Sequence, residues 1–199
     1  MRSFRRIAVY CGSSDAVDPA WRAVARAMGR LLADRGIGVV YGGGRVGLMG
    51  EVADGALERG GQVFGVIPQK LQALEVGHQG CTELFVVDSM HARKAMMAHL
   101  ADAFVALPGG FGTLEEIIEV TTMGILNYHH KPVGLLNVSG FFDHLLAFVG
   151  HAADEGFIRP VHRHVLAVSD TPAGMLAALA GSVMPRVEDW LPLTPPQTP

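Results

Sequence analysis

Three segments of this 199-residue sequence, two rich in glycine and one carrying adjacent cations, suit an anionic ligand. Leu107-Pro-Gly-Gly-Phe-Gly-Thr-Leu-Glu-Glu116 passes from an apolar run through a glycine loop into a helix-type pattern. Its amides and the Thr113 hydroxyl could hold a phosphate, with Glu116 facing a cleft. The same letters admit a structural role, because Thr113 and Glu116 form the T-x-x-E of a capping box ahead of Ile117 and Ile118. Glu115, Glu116 and Glu119 also lie off the Leu114/Ile117/Ile118 stripe, so a solvated acidic face is a third reading.

The second segment, Tyr41-Gly-Gly-Gly-Arg-Val-Gly-Leu-Met-Gly50, carries five glycines in ten residues. It lacks the Gly-Lys-Ser/Thr of a P-loop and meets G-x-G-x-x-G only loosely, through Gly42, Gly44 and Gly47. Amides at Gly43, Gly44 and Gly47 could approach a phosphate, and a tight turn with close helix packing is the alternative. The third segment is Ser89-Met-His-Ala-Arg-Lys94. Arg93 and Lys94 at the start of a helix oppose its dipole, which is more easily explained if they meet an anion. Met90 shares a helix face with Arg93 and Met97, as a packing residue or as a surface for a base.

These segments need strands before them and helices after them, and the pattern supplies both. Apolar runs at Ile7–Cys11, Gly38–Tyr41, Val63–Ile67, Leu84–Val87, Ala103–Leu107, Val133–Leu136 and His164–Val168 read as strands covered on both faces. Helical spacing appears at Trp21, Val24, Ala25, Met28, Leu31 and Leu32, and again from Leu114 to Thr121. Further helices are expected at Leu48–Arg59, His91–Ala101, Phe142–Glu155 and Pro172–Ala180. The alternation predicts an α/β, doubly wound, Rossmann-like and mostly parallel sheet with helices on both faces. One nucleotide-binding domain is expected over 1–184, followed by a Pro-rich tail at 185–199, since five of the 11 prolines fall in the last 15 residues.

Composition removes other classes. With 16 Lys plus Arg against 19 Asp plus Glu, a net charge of −3, no basic excess exists to bind a nucleic acid polymer. No apolar run approaches the ~20 residues of a membrane span, and a soluble cytoplasmic protein is expected. Cys11 and Cys81 form no disulfide framework, and the histidines lack partners at metal spacing, so no metal is predicted. Glycine is abundant, 25 of 199 residues.

Joined in this order, the segments resemble the Lonely Guy family of cytokinin-activating enzymes, whose members are often mislabelled lysine decarboxylases. The likeness runs from Ile7 to Ile158 through Cys-Gly-Ser-Ser at 11–14, Gly-Gly-Gly-Arg-Val-Gly-Leu-Met-Gly at 42–50 and Ser-Met-His-Ala-Arg-Lys at 89–94. It continues with Pro-Gly-Gly-Phe-Gly-Thr-Leu-Glu-Glu at 108–116 and Lys-Pro-Val-Gly-Leu-Leu-Asn at 131–137. The resemblance implies hydrolysis of the N-glycosidic bond of an N6-modified adenosine 5′-monophosphate, and of AMP, without a cofactor. It implies a catalytic pair, Arg93 and Glu116, with an ionised Glu116 stabilising oxocarbenium-like charge and Arg93 keeping it ionised. Glu75, Lys94, Thr122 and the Gly110–Thr113 loop (Gly110, Phe111, Gly112, Thr113) fall on the family's substrate contacts. Gly43, Gly44, Gly47, Met90, Gly109, Leu114 and Glu115 complete the expected binding set. Such relatives are homodimers. A non-catalytic nucleotide or molybdenum-cofactor carrier on the same fold is the alternative. Where relatives read T-W-x-Q-L-G-x-H, this chain has Thr122-Met-Gly-Ile-Leu-Asn-Tyr-His129, replacing Trp, Gln and Gly by Met123, Ile125 and Asn127.

Overall fold

The structure, a computed structural model, describes residues 3–75 and 77–186. Seven strands form one sheet: β1 (Arg6–Tyr10), β2 (Gly38–Tyr41), β3 (Val63–Pro68), β4 (Glu83–Val87), β5 (Ala103–Ala106), β6 (Val133–Leu136) and β7 (Leu166–Ser169). Every pairing is parallel and the order is β4-β3-β2-β1-β5-β6-β7. The chain winds outward from β1 in one direction and then, from β5, in the other. The order therefore reverses between β1 and β5, where Ile7 to Tyr10 pair with Ala103 to Ala106. In open sheets of this kind that reversal leaves a crevice beyond the strand carboxyl ends.

The unbroken apolar runs have the expected cause. All residues of β2, β3, β5 and β6 are buried, whereas the edge strands β4 and β7 are half-open. Alternate residues feed two cores. Ile7, Val9, Val39, Tyr41 and Val105 pack against α1 (Pro19–Asp34), α2 (Gly47–Leu57) and α7 (Pro172–Gly181). Ala8, Tyr10, Val40, Phe104 and Ala106 face α4 (Met90–Leu100), α5 (Phe111–Ile125) and the Phe142 end of α6 (Asp143–Asp154). Gly29 lets α1 meet α2, since a Cβ there would lie 2.1 Å from the Val52 carbonyl oxygen.

Two elements differ from expectation. A short helix, α3 (Gln69–Glu75), follows β3 where none was expected. α5 begins at Phe111, three residues before the apolar stripe, with Gly110 as its N-cap. Thr113 is then inside the first turn and buried, and no side chain caps the helix. The capping box is therefore not formed. The expected tail lies almost wholly outside the described residues, beginning two residues before their end. Among the described residues no helix is long and apolar enough to cross a membrane.

Candidate active site

A cavity of about 490 Å³ opens at the reversal point. The loops after β1, β5 and β6 and the first turns of α2 and α4 converge on it. Its lining includes Gly12, Ser13 and Ser14 after β1, Pro108 to Thr113 after β5, and Arg93, Glu115 and Glu116. Backbone contacts hold the glycine segments in register. Gly12 donates its N–H to Pro108 O at 3.1 Å, and Leu48 donates to Gly12 O at 3.0 Å. A Cβ on Gly109 would lie 2.1 Å from Thr113 Oγ1 and 2.9 Å from the Gly12 nitrogen, so only glycine permits this three-way approach. At the start of α5 the first carbonyl bond is Leu114 N to Gly110 O, at 3.1 Å. The amides of Phe111, Gly112 and Thr113 precede it, at the positive end of a 15-residue helix.

Arg93 is buried, 6% exposed. Its Nε donates to Val66 O at 3.1 Å and its Nη2 to Gly42 O at 2.7 Å. The carbonyls of Val66, within β3, and Gly42, just after β2, therefore hold the guanidinium at the cavity wall, and no ion pair links it to Glu116. Glu116 is half-buried, and burial pushes its carboxyl up to about 7, with Arg93 pulling in the opposite direction and Glu115 adding to the rise. Arg93 favours the ionised form of Glu116, and desolvation opposes it more strongly. Cys11 also lines the cavity, and burial pushes its thiol far up.

Of the expected binding set, Met90, Gly109, Gly110, Phe111, Gly112, Thr113 and Glu115 line the cavity with the Arg93/Glu116 pair. Gly43, Gly44 and Gly47 do not. Their loop is tied into the fold instead: Gly43 O accepts from His78 N at 3.0 Å, Gly44 bridges Gly77, and Gly47 N donates to Asp15 Oδ1 at 2.9 Å. Gly47 has φ +60° and lies so close to Ser13 that a Cβ would sit 2.5 Å from its carbonyl carbon. This loop is the tight turn with close packing, and it holds Arg93 through Gly42.

Lys94 meets an anion, but one of this chain's own. It pairs with Glu115 and, at 3.1 Å, with Glu119 of α5. Leu114 packs toward the second core, and Thr122 is exposed with its hydroxyl donating to Ile118 O at 2.9 Å. Glu75 ends α3, and its side chain lies outside the described residues. Sequence reasoning missed an apolar part of the lining: Val17, Trp21, Leu48, Met49 and Phe141. Helical spacing of Trp21 signalled packing only. Among the described residues no group of three or more His, Cys, Asp or Glu could hold a metal ion.

The departures in 122–129 find a physical account at one position. Asn127, where relatives carry Gly, has φ +66° just past the end of α5. Asn is the side chain that best replaces Gly in that left-handed position. Ile125 packs against the second core, and His129 donates from Nε2 to Val120 O at 2.9 Å while its Nδ1 accepts from Lys131 N.

A doubly wound parallel sheet with a cavity at its reversal point defines an α/β protein built to hold a ligand at the strand carboxyl ends. Within that class the family model described as "possible lysine decarboxylase" matches residues 49–179, and the chain belongs to that family. It is 48% identical over 191 residues to the probable cytokinin riboside 5′-monophosphate phosphoribohydrolase LOGL9 of Oryza sativa subsp. japonica, covering 96% of this chain and 80% of that one. It is 50% identical over 163 residues to cytokinin riboside 5′-monophosphate phosphoribohydrolase LOG7 of Arabidopsis thaliana, covering 82% and 75%. Among solved structures, the molybdenum cofactor binding protein of Rippkaea orientalis superposes with a TM-score of 0.68 at 23% identity, covering 89% of this chain and 95% of that chain. That likeness shows the fold alone.

Proposed function

We propose that this chain is a phosphoribohydrolase that cleaves the N-glycosidic bond of cytokinin riboside 5′-monophosphates, releasing the free base and ribose 5-phosphate. The observation that carries the reading is a half-buried carboxyl, Glu116, raised to about 7 and sharing one cavity with a buried arginine and a helix N-terminus. The amides of Phe111, Gly112 and Thr113 suit the 5′-phosphate. That anchor orients C1′ toward Glu116, turning remote binding energy into position. As the bond to the base breaks, positive charge grows on the ribose, and the carboxylate form of Glu116 stabilises it and orients the attacking water. A pKa near the working pH lets the same group accept the proton that the water loses. Arg93, fixed by two carbonyls, keeps enough positive potential at the cavity wall for that ionisation to occur.

The substrate is a single small nucleotide rather than a polymer, in keeping with the net charge of −3. We place the protein in the cytoplasm as a homodimer. Support for the dimer comes from Phe111, 94% exposed, with Met90 and Ile118 also exposed beside it on α4 and α5. Glu115, Ile118, Glu119 and Thr122 share the outer face of α5, which a second copy would cover. Cys11 and Cys81 are both free thiols, as suits a reducing compartment.

The reading is tested by comparing AMP with adenosine in a base-release assay. Adenosine is expected to react at least 100-fold more slowly in kcat/KM. Equal rates would refute the phosphate anchor at the start of α5.

A further inference from the structure

Gly42, Gly43 and Gly44 do not line the cavity, yet they decide where its arginine sits. Arg93 Nη2 donates to Gly42 O, and a Cβ on Gly42 would lie 2.0 Å from that same nitrogen. β2 ends at Tyr41, which pairs with Gly65, so the strand ladder stops before the Gly42 carbonyl. Gly43 then turns into the left-handed region at φ +77°. Beyond the ladder, the 77–80 loop between α3 and β4 holds this turn. His78 N donates to Gly43 O at 3.0 Å, and Gly44 forms a bridge to Gly77. Consecutive carbonyls of the glycine loop therefore serve Arg93 and His78.

A buried imidazole fixes the 77–80 loop. His78 is 6% exposed. Its Nδ1 accepts from Gly80 N at 3.1 Å, so that nitrogen carries no proton. The proton sits on Nε2, which donates to Asp54 Oδ1 of α2 at 2.9 Å. Both ring nitrogens and the backbone N–H are engaged, each with a different element: the ring's own loop, α2 and the glycine loop. α2 starts at Gly47, the far end of that same glycine loop. The ring thus closes a circuit from Gly42 along α2 to Asp54, across to His78 and back to Gly43. Asp54 also faces Arg26 of α1 at 3.6 Å. An apolar side chain would fill the place without nitrogens to satisfy, so packing alone does not call for histidine.

We propose that His78 is a positioning residue for catalysis: its neutral ring, protonated on Nε2 and held between Asp54 and the Gly80 amide, sets the glycine loop so that Gly42 O fixes the Arg93 guanidinium at the cavity wall. The proposal rests on the phosphoribohydrolase reading and adds to it a residue outside the cavity lining. Without the ring, the 77–80 loop loses its tie to α2 and the Gly42 carbonyl is no longer held in place. Arg93 then keeps only Val66 O as a fixed partner. The phosphate anchor at the start of α5 lies on another element and is untouched, so the loss falls on the chemical step.

Base release from N6-isopentenyl-AMP is measured for His78→Ala, His78→Gln and Asp54→Ala, each alone and combined with Arg93→Lys, with circular dichroism checking the fold. His78→Ala is expected to lower kcat about 10-fold or more while KM stays within about threefold of the wild type. His78→Gln still offers a donor to Asp54 and should recover part of that loss. The Asp54 side chain is 41% exposed, so Asp54→Ala folds even if His78→Ala does not, and it should show the same fall in kcat. In Arg93→Lys the fork onto two carbonyls is already gone, so adding either alanine should change kcat by less than about twofold. Losses that multiply in the double variants, or a raised KM with kcat at the wild-type value, overturn the positioning role and leave the hydrolase reading standing. A wild type that releases no base overturns both.

Discussion

Replacing Glu116 by Gln should stabilise the protein, and do so increasingly as pH rises. Burial lifts the carboxyl from 4.5 to about 7 in the folded chain. Below the unfolded pKa both states are protonated and no penalty exists. Between the two values the unfolded chain ionises first, so native stability falls with pH until the folded carboxyl also ionises. At about 1.4 kcal/mol per pKa unit the ceiling is about 3 kcal/mol, and screening by cavity water lowers it to roughly 2 kcal/mol. Glutamine fills the same volume and never ionises, so it removes this cost. The Tm of Glu116→Gln relative to wild type should therefore rise by about 4–8 °C between pH 5 and pH 8 for a domain of this size. Calorimetric melts at pH 5, 6, 7 and 8 measure it. A Tm difference independent of pH would refute the placement of Glu116 in a desolvated cavity. The same titration should appear in catalysis as a rising limb of kcat/KM near pH 7, because the ionised form stabilises the ribosyl charge.

Two further substitutions probe the supports. Gly109→Ala places a methyl against Thr113 Oγ1 and the Gly12 nitrogen and should cost about 1–3 kcal/mol in urea unfolding, whereas Gly112→Ala meets nothing within 4 Å and should be neutral or slightly stabilising. Arg93→Lys keeps the charge but cannot serve both Val66 O and Gly42 O; leaving a buried carbonyl unpaired should lower stability by about 1–3 kcal/mol and kcat/KM by at least 100-fold, read from unfolding curves and base release.

The order of strands and helices was legible because the central strands are covered on both faces and therefore apolar throughout. α3 was not, since seven residues on the sheet edge carry too little periodicity to register. Thr113 and Glu116 spell a capping box, yet the glycine loop starts the helix earlier, and the Thr113 side chain goes to the crowded contact with Gly109 instead. The glycines at 42–47 and those at 109–112 look equivalent as letters. They separate in three dimensions because the first group's polar groups bind Arg93, His78 and Asp15, whereas the second group borders the cavity. Arg93 and Glu116 were visible through their motif, but the balance between burial and charge at Glu116 depends on neighbours that only the fold brings together. The Trp21–Phe141 contact in the apolar lining joins residues 120 positions apart and leaves no local signal.

The central claim is most directly tested by incubating the purified chain with N6-isopentenyl-AMP and quantifying all products by chromatography. Equimolar free base and ribose 5-phosphate, formed by the wild type and reduced at least 1,000-fold in Glu116→Gln, is the result expected. An unchanged nucleotide, or base release that survives in Glu116→Gln at the wild-type rate, would contradict it.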